Sequence, residues 1–272
     1  MMISDPVQKA AAQCVAFVCV CCLCVLQAGA TTLLQDDFDA YPVGPLPIAN
    51  WVDTYTDMNV PISRAQAAAA GVQIAIDGAA AVSGNSIRFM DQDNRVGSLI
   101  DRALASPATS VTLEYYMMSN VVDDEGAFVN LNGTGDYHHD YVLAFQSTGY
   151  IGVHRPVAGS WPEPALLQYA PGVWYRVERV INCATDEGYF YVEEVGNPGH
   201  NGTFGVGSEL DVVESVGIWS SNTRRADCYI DELRVTGAPI PEPVTLASGL
   251  IGLGMLVGYV RRRRPPAAAR PS

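Results

Sequence analysis

The stretch Val173-Trp-Tyr-Arg-Val-Glu-Arg-Val-Ile181 sets the period of this chain. Val173, Tyr175, Val177 and Arg179 fall on one side, and Trp174, Arg176, Glu178 and Val180 on the other, because side chains of an extended strand alternate between faces. The same period recurs where Val111, Leu113, Tyr115 and Met117 alternate with Thr112, Glu114, Tyr116 and Met118. Tyr141 to Phe145 and Tyr150 to His154, joined by Gln146-Ser-Thr-Gly149, give a hairpin signal. Tyr189 to Val192, Val212 to Trp219 and Tyr229 to Val235 continue the series, with Gly, Asn, Asp and Pro between them. The one helix-like tract, Arg64 to Ala70, is only two turns long. Parallel strands need long crossovers, and none is available here. The expectation is therefore an all-β, antiparallel sandwich or barrel.

A chain of 272 residues can bury a sizeable core. Hydrophobic residues make up 49% and charged ones 17%, which excludes a disordered chain. The net charge of −13 is the wrong sign for a nucleic-acid partner. Between Thr31 and Ile240 stand ten arginines, no lysine and twenty-seven acids, a net of −17. Such a surface stays solvated, repels anionic polymers and attracts divalent cations.

The two ends depart from this pattern. Lys9 precedes an uncharged run from Ala10 to Leu26, and Gln27-Ala28-Gly29-Ala30 supplies small residues before a cleavage point. Residues 1–30 thus read as a secretory signal peptide, with an uncleaved anchor as the alternative. Cys14, Cys19, Cys21, Cys22 and Cys24 lie in the run and read as small apolar filler rather than a zinc cluster. Cys183 and Cys228 remain in the exported part, residues 31–236. Export permits a disulfide between them, worth roughly 4 kcal/mol if unstrained. Two separate buried thiols fit the sequence equally well.

At the other end, residues 237–243 form a Pro-rich linker, Val244 to Val260 is uncharged for seventeen residues, and Arg261 to Arg264 follow in the tail 261–272. As a helix the run spans roughly 25 Å, enough for a short transmembrane segment. The arginines hold its end on the cytoplasmic side, leaving the body of the protein beyond the membrane. Pro241-Glu242-Pro243, the apolar run and Arg261, Arg262, Arg263 and Arg264, in that order, resemble the PEP-CTERM sorting signal. The resemblance implies an exosortase, a membrane protease-transpeptidase acting near the triplet, as processing partner. It also implies delivery to the cell surface or to extracellular polysaccharide.

Three loose pieces resemble a concanavalin A-like, laminin-G-like jelly roll: Asp36-Asp37-Phe38-Asp39-x-Tyr41-Pro42-x-Gly44, Gly172-Val-Trp174-Tyr175-Arg176-Val177 and Tyr229-Ile-Asp231-Glu232-Leu-Arg-Val235. Folds of this type host carbohydrate-binding modules, adhesion domains and glycosidases, and the fold does not choose among them. A retaining glycosidase needs two carboxylates about 5 Å apart. Adjacent strand residues such as Glu193-Glu194 and Asp231-Glu232 face opposite ways, so neither pair supplies the motif.

If a cofactor is bound, calcium suits the oxygen-rich stretches. Asp36, Asp37 and Asp39 open the domain and Asp231 closes it, on strands expected to be neighbours. Asp91-Gln-Asp93-Asn94 is a second oxygen-rich turn. The alternative is acidic residues making Asx turns. Asp136-Tyr137-His138-His139-Asp140 reads as a polar hairpin loop rather than a transition-metal site. Trp51 and Trp161 are candidates for stacking on a sugar, against the alternative of core indoles. Asn132-Gly-Thr134 and Asn201-Gly-Thr203 match the glycosylation sequon and read as turns. The sequence thus points to an exported, non-catalytic β-sandwich that binds glycan or serves as structure at the cell surface. The alternative is a carbohydrate-active enzyme on the same fold.

Overall fold

The structure, a computed structural model, describes residues 30–47, 50–58, 60–93, 95–122, 126, 128–135, 141–154, 165–220 and 226–239. The signal peptide, Pro241 to Pro243, the apolar run 244–260, Arg261 to Arg264, Trp161 and the His138-His139 loop lie outside the described residues. Among those described, no helix is long and apolar enough to cross a membrane.

The elements run β1 (Thr31–Asp36), β2 (Gly44–Pro45), β3 (Val52–Asp57) and β4 (Val60–Ile62), then α1 (Arg64–Ala69), β5 (Val72–Asp77) and β6 (Ser86–Asp91). There follow β7 (Val96–Ser119), β8 (Phe128–Gly135), β9 (Val142–Gln146), β10 (Tyr150–His154) and β11 (Ala165–Gln168). The chain closes with β12 (Trp174–Asn182), β13 (Glu187–Glu194), β14 (Asn197–Gly205), β15 (Leu210–Trp219) and β16 (Ala226–Pro239). Every strand pairing among the described residues is antiparallel. The helix starts with a capping box: Ser63 accepts from the Gln66 N–H, and the Gln66 side chain accepts from the Ser63 N–H.

Two layers share the long strand β7. Its first half lies between β3 and β15, and that layer continues through β8, β9, β10 and β11. Its second half lies between β12 and β16, and that layer runs outward to β13 and β14 on one side and to β6, β5 and β2 on the other. The hand-over is visible in the burial. Ile100, Leu104 and Ala108 point inward on even positions, whereas Val111, Leu113, Tyr115 and Met117 do so on odd ones. One extra residue in a bulge inverts the face of everything after it. The change falls between Ala108 and Val111: Ser110 and Ala108 face the consecutive Ala238 and Pro239 of β16, which leaves Thr109 as the extra residue. Pro107 lies just before it, in a separate irregularity opposite β15 between Ala103 and Ala108, where its missing N–H is tolerated. β16 makes the same inversion between Ile230 and Leu233, where Glu232 takes a positive φ of 48°.

One apolar core fills the space between the layers. Phe145 of β9 meets Tyr175 of β12 across it, ring centroids 6.4 Å apart. On β12, Tyr175, Val177 and Ile181 are buried as their period requires, and so is Arg179 at 1% exposure. Its guanidinium lies over the Phe190 ring and donates to the carbonyls of Val180, Val206 and Gly207. Those bonds replace the water that a buried cation loses.

Two expectations are corrected, and the alternatives left open for the cysteines are decided. Asn132-Gly-Thr134 lies in β8 and Asn201-Gly-Thr203 in β14, so neither sequon is a turn. β16 continues through Gly237, Ala238 and Pro239, because Thr31 and Ala108 are still there to pair with it. Cys183 and Cys228 are not joined. Cys228 lies opposite Ser119 of β7, while Cys183 follows Asn182, which lies opposite Ser110. Nine residues of extended strand separate those two points, roughly 30 Å, far beyond disulfide reach.

Candidate functional site

The outward face of the first layer carries a groove of about 520 Å³ lined by Thr54, Thr56, Leu99, Asp101, Asn130, Asn132 and Trp219, among others. That size lies within the usual range for small-ligand clefts. Strand alternation builds it. While Ile100, Val129, Leu131, Val216 and Ile218 enter the core, their neighbours on β7, β8 and β15 turn out to the groove. The register then aligns them in rows. Trp219 stands opposite Leu99 on one side and Phe128 on the other, Gly217 opposite Asp101 and Asn130, and Ser215 opposite Asn132.

One end of the groove is apolar. The Trp219 indole stacks on Phe128 with centroids 4.0 Å apart and planes within 10°, beside Val142 and Ala144 in a small second cluster. The other end is polar. Asp101 Oδ1 accepts from Asn132 Nδ2 at 2.9 Å and from Ser215 Oγ at 2.9 Å, and the Asn130 amide donates to Asn132 Oδ1. Gly217 makes this packing possible. A Cβ there would lie 2.7 Å from Asn130 Oδ1 and 2.9 Å from Asn132 Nδ2. An indole beside a fixed carboxylate and amides is an arrangement able to hold an amphipathic ring with hydroxyl groups at its edge.

Trp51 has no part in such a surface. It is fully buried, with Nε1 donating to Asp36 Oδ2 at 2.9 Å, and its ring stacks near Phe38. The stacking expectation for Trp51 is thus overturned by burial.

β1 and β16 are neighbours, as expected of first and last strands, with Asp36 opposite Leu233. The acids there have other partners. Asp36 accepts from Tyr41 Oη at 2.7 Å, from the Phe38 N–H at 2.9 Å, from Trp51 and from Arg102. Asp37 accepts the Asp39 N–H, and Asp39 accepts the Asn85 N–H. Asp231 accepts the N–H groups of Val82, Ser83 and Glu232. Burial pushes the Asp231 pKa up to about 6, against the pull of those three bonds. Asp36 and Asp37 line one small pocket with Glu232, and each of Asp36, Asp37 and Asp231 already accepts hydrogen bonds from the protein. No trio of His, Cys, Asp or Glu among the described residues is arranged to hold a metal. Asp91 accepts the Asp93 N–H, the Asx turn that was the alternative for that stretch.

Carboxylates do gather on the outer face of the second layer. Arg176 binds Glu114 at 2.6 Å, Glu178 at 3.2 Å and Glu193 at 3.4 Å. Tyr189 donates to Glu178 and Tyr191 to Glu193, which raises both phenol pKa values.

Sequence reasoning did not find Asp101, Asn130, Asn132 or Trp219. The signals were present as Asn130-Leu-Asn132 and Ser215-Val-Gly217-Ile-Trp219, polar or small residues alternating with core ones. Nothing in the order of the chain places β15 between β7 and β8, so their meeting was not readable.

No protein family matches the chain, and no curated protein does. Among solved structures, the cellulose-induced protein Cip1 is similar at a TM-score of 0.52 and 13% identity, over 76% of this chain and 98% of that one. A sialidase is similar at a TM-score of 0.52 and 14% identity, over 77% of this chain. The match spans only 19% of the sialidase's length. Arcelin-5, a lectin-like defense protein from Phaseolus vulgaris, overlaps at a TM-score of 0.44 and 8% identity, over 77% of this chain and 98% of that one. The fold is the all-β, antiparallel sandwich expected from the sequence, and it is shared with these solved structures.

Proposed function

We propose that this chain is an exported, non-catalytic glycan-binding protein whose ligand lies in the groove between Trp219 and Asp101. The half-buried Trp219 beside the Asp101–Asn132–Ser215 network carries this reading. A sugar presents C–H faces to an indole and hydroxyls to fixed polar groups, and the groove offers both. A retaining glycosidase needs two carboxylates about 5 Å apart. Among the described lining residues Asp101 is the one carboxylate, so binding is put before catalysis. Delivery follows from the ends of the sequence: export on residues 1–30, insertion through 244–260, and processing near Pro241-Glu242-Pro243 by an exosortase-type enzyme, towards the cell surface or exopolysaccharide.

The test is retention of the full-length protein on immobilised polysaccharides, with release of reducing ends followed in the same samples. The expected result is retention without release, lost in Trp219→Ala. Release of reducing ends would replace this reading with an enzyme. Delivery is tested by a C-terminal tag in a host that carries an exosortase. The tag should stay with the membrane while the body of the protein reaches the surface, and recovery of the whole chain from cytosol would refute export.

A further inference from the structure

We propose that the sugar unit seated between Trp219 and Asp101 is uncharged and is read through its hydroxyls by Asp101, which makes Asp101 the specificity-determining residue of the groove. This rests on the glycan-binding reading above and narrows it to a ligand class at one subsite.

The argument starts from the two oxygens of Asp101. Oδ1 is held by Asn132 Nδ2 and Ser215 Oγ, both at 2.9 Å. Oδ2 makes no hydrogen bond to any described residue. Two donors on one oxygen fix the orientation of the carboxylate, and Oδ2 is the acceptor that Asp101 brings to the groove it lines. An ionised carboxylate accepts and cannot donate. A sugar hydroxyl gives it a charge-assisted hydrogen bond, roughly twice as strong as a neutral one. A sugar carboxylate or sulfate at the same place has no proton to give and brings a second negative charge. That is the kind of unpaired like charge by which sites reject a wrong partner.

The amides beside Asp101 do not reverse this preference. Asn132 Nδ2 is directed to Asp101 and, at 3.4 Å, to Ser215, while Asn132 Oδ1 accepts from Asn130. Asn132 thus serves the carboxylate, and Asn130 holds Asn132. Gly217, opposite Asp101 and two residues before Trp219, lets the Asn130 and Asn132 side chains pack down over its backbone, which brings the polar end close beside the aromatic one. One ring can therefore lie with its C–H face towards Trp219 and an edge hydroxyl towards Oδ2.

The experiment uses matched neutral and uronate polymers that differ only at C6: β-1,4-mannan against polymannuronate, and cello-oligosaccharides against their C6-oxidised forms. Full-length wild type and Asp101→Asn are compared on each pair. Wild type should hold the neutral member of at least one pair tenfold or more above its uronate partner. Asp101→Asn should shrink that ratio at least threefold, by weakening the neutral sugar and admitting the uronate. If Asp101→Asn melts early, Ser215→Ala carries the same test, because it removes one of the two donors that orient Asp101. A wild-type protein that holds a uronate as well as or better than its neutral partner overturns the inference and leaves glycan binding intact. A ratio unchanged in both variants also overturns it. Retention of neither member of any pair overturns the glycan-binding reading, and the inference with it.

Discussion

Trp219 lies flat against Phe128, ring centroids 4.0 Å apart and planes inclined by 10°. The two residues are directly opposite on β15 and β8. One face of the indole is thereby committed to the protein, and the other is left for the groove that Trp219 lines. Phe128 is buried to 1% exposure and works as a backing plate. Holding an aromatic ring in one orientation before the ligand arrives lowers the ordering cost of binding.

Trp219→Ala should therefore weaken glycan binding at least tenfold, about 1.4 kcal/mol. Phe128→Ala should weaken it less, and should lower unfolding free energy by roughly 3 kcal/mol because it empties a buried site. Calorimetric titration and urea unfolding of the two variants separate these effects. Equal losses of affinity with no loss of stability in Phe128→Ala would contradict the backing role.

Gly217→Ala adds one methyl group where both Asn130 and Asn132 already stand within 3 Å. The amides must move, and with them the support of Asp101. The expected cost is about 1–3 kcal/mol of stability, together with reduced binding. Urea midpoints with unchanged slope would confirm the first part, and the polysaccharide retention assay reads the second.

The Asp36 carboxylate joins Tyr41, Trp51 and Arg102 at one buried point. Asp36→Ala leaves the Arg102 charge, the indole N–H and the phenol hydroxyl to find other partners. Removing one member of a buried ion pair costs about 3–5 kcal/mol. Glycan retention, scored on protein that remains folded, should not change, because this cluster lies outside the groove lining.

Asp231 gives a pH dependence of definite sign. Its folded pKa of about 6 lies above the ordinary 3.8. Between those values the native state keeps a proton that the unfolded chain has lost. The contribution of Asp231 to stability is thus present below pH 4, falls as pH rises towards 6 and is constant above it. The difference in unfolding free energy between wild type and Asp231→Asn should decline by up to about 3 kcal/mol over that window. A difference that rises with pH would refute the assignment.

Cys183 and Cys228 stand far apart along β7, so reducing agent should leave the thermal midpoint unchanged. Thiol titration of the denatured mature chain, without residues 1–30, should find both cysteines reactive. A midpoint several degrees lower under reduction would show a disulfide after all.

The strand period was legible because it is local. Alternation at 173–181 and 111–118 required only that neighbouring side chains face opposite ways, and β12 and the second half of β7 follow it. The hairpin of β9 and β10 was legible from Gly149, which takes a positive φ of 81° in its turn. The first half of β7 was not. Its inward positions are even rather than odd, and a bulge whose partner lies far along the chain on β16 hides the change of phase. Trp51 and Trp161 were singled out as sugar-stacking candidates from residue type alone. Residue type does not distinguish an indole tied to Asp36 from one turned out to a groove, as Trp219 is.

By itself the sequence determined the class of fold, the antiparallel pairing, the short helix and the acidic character of the domain. Each of these follows from neighbours in the chain, whose geometry the backbone imposes. Tertiary structure alone decided that Asp101, Ser215 and Asn132 meet, that Trp51 is covered and that the two cysteines stay apart. Those outcomes depend on strand order and register, and these are set by which faces bury together across hundreds of possible pairings rather than by any one segment.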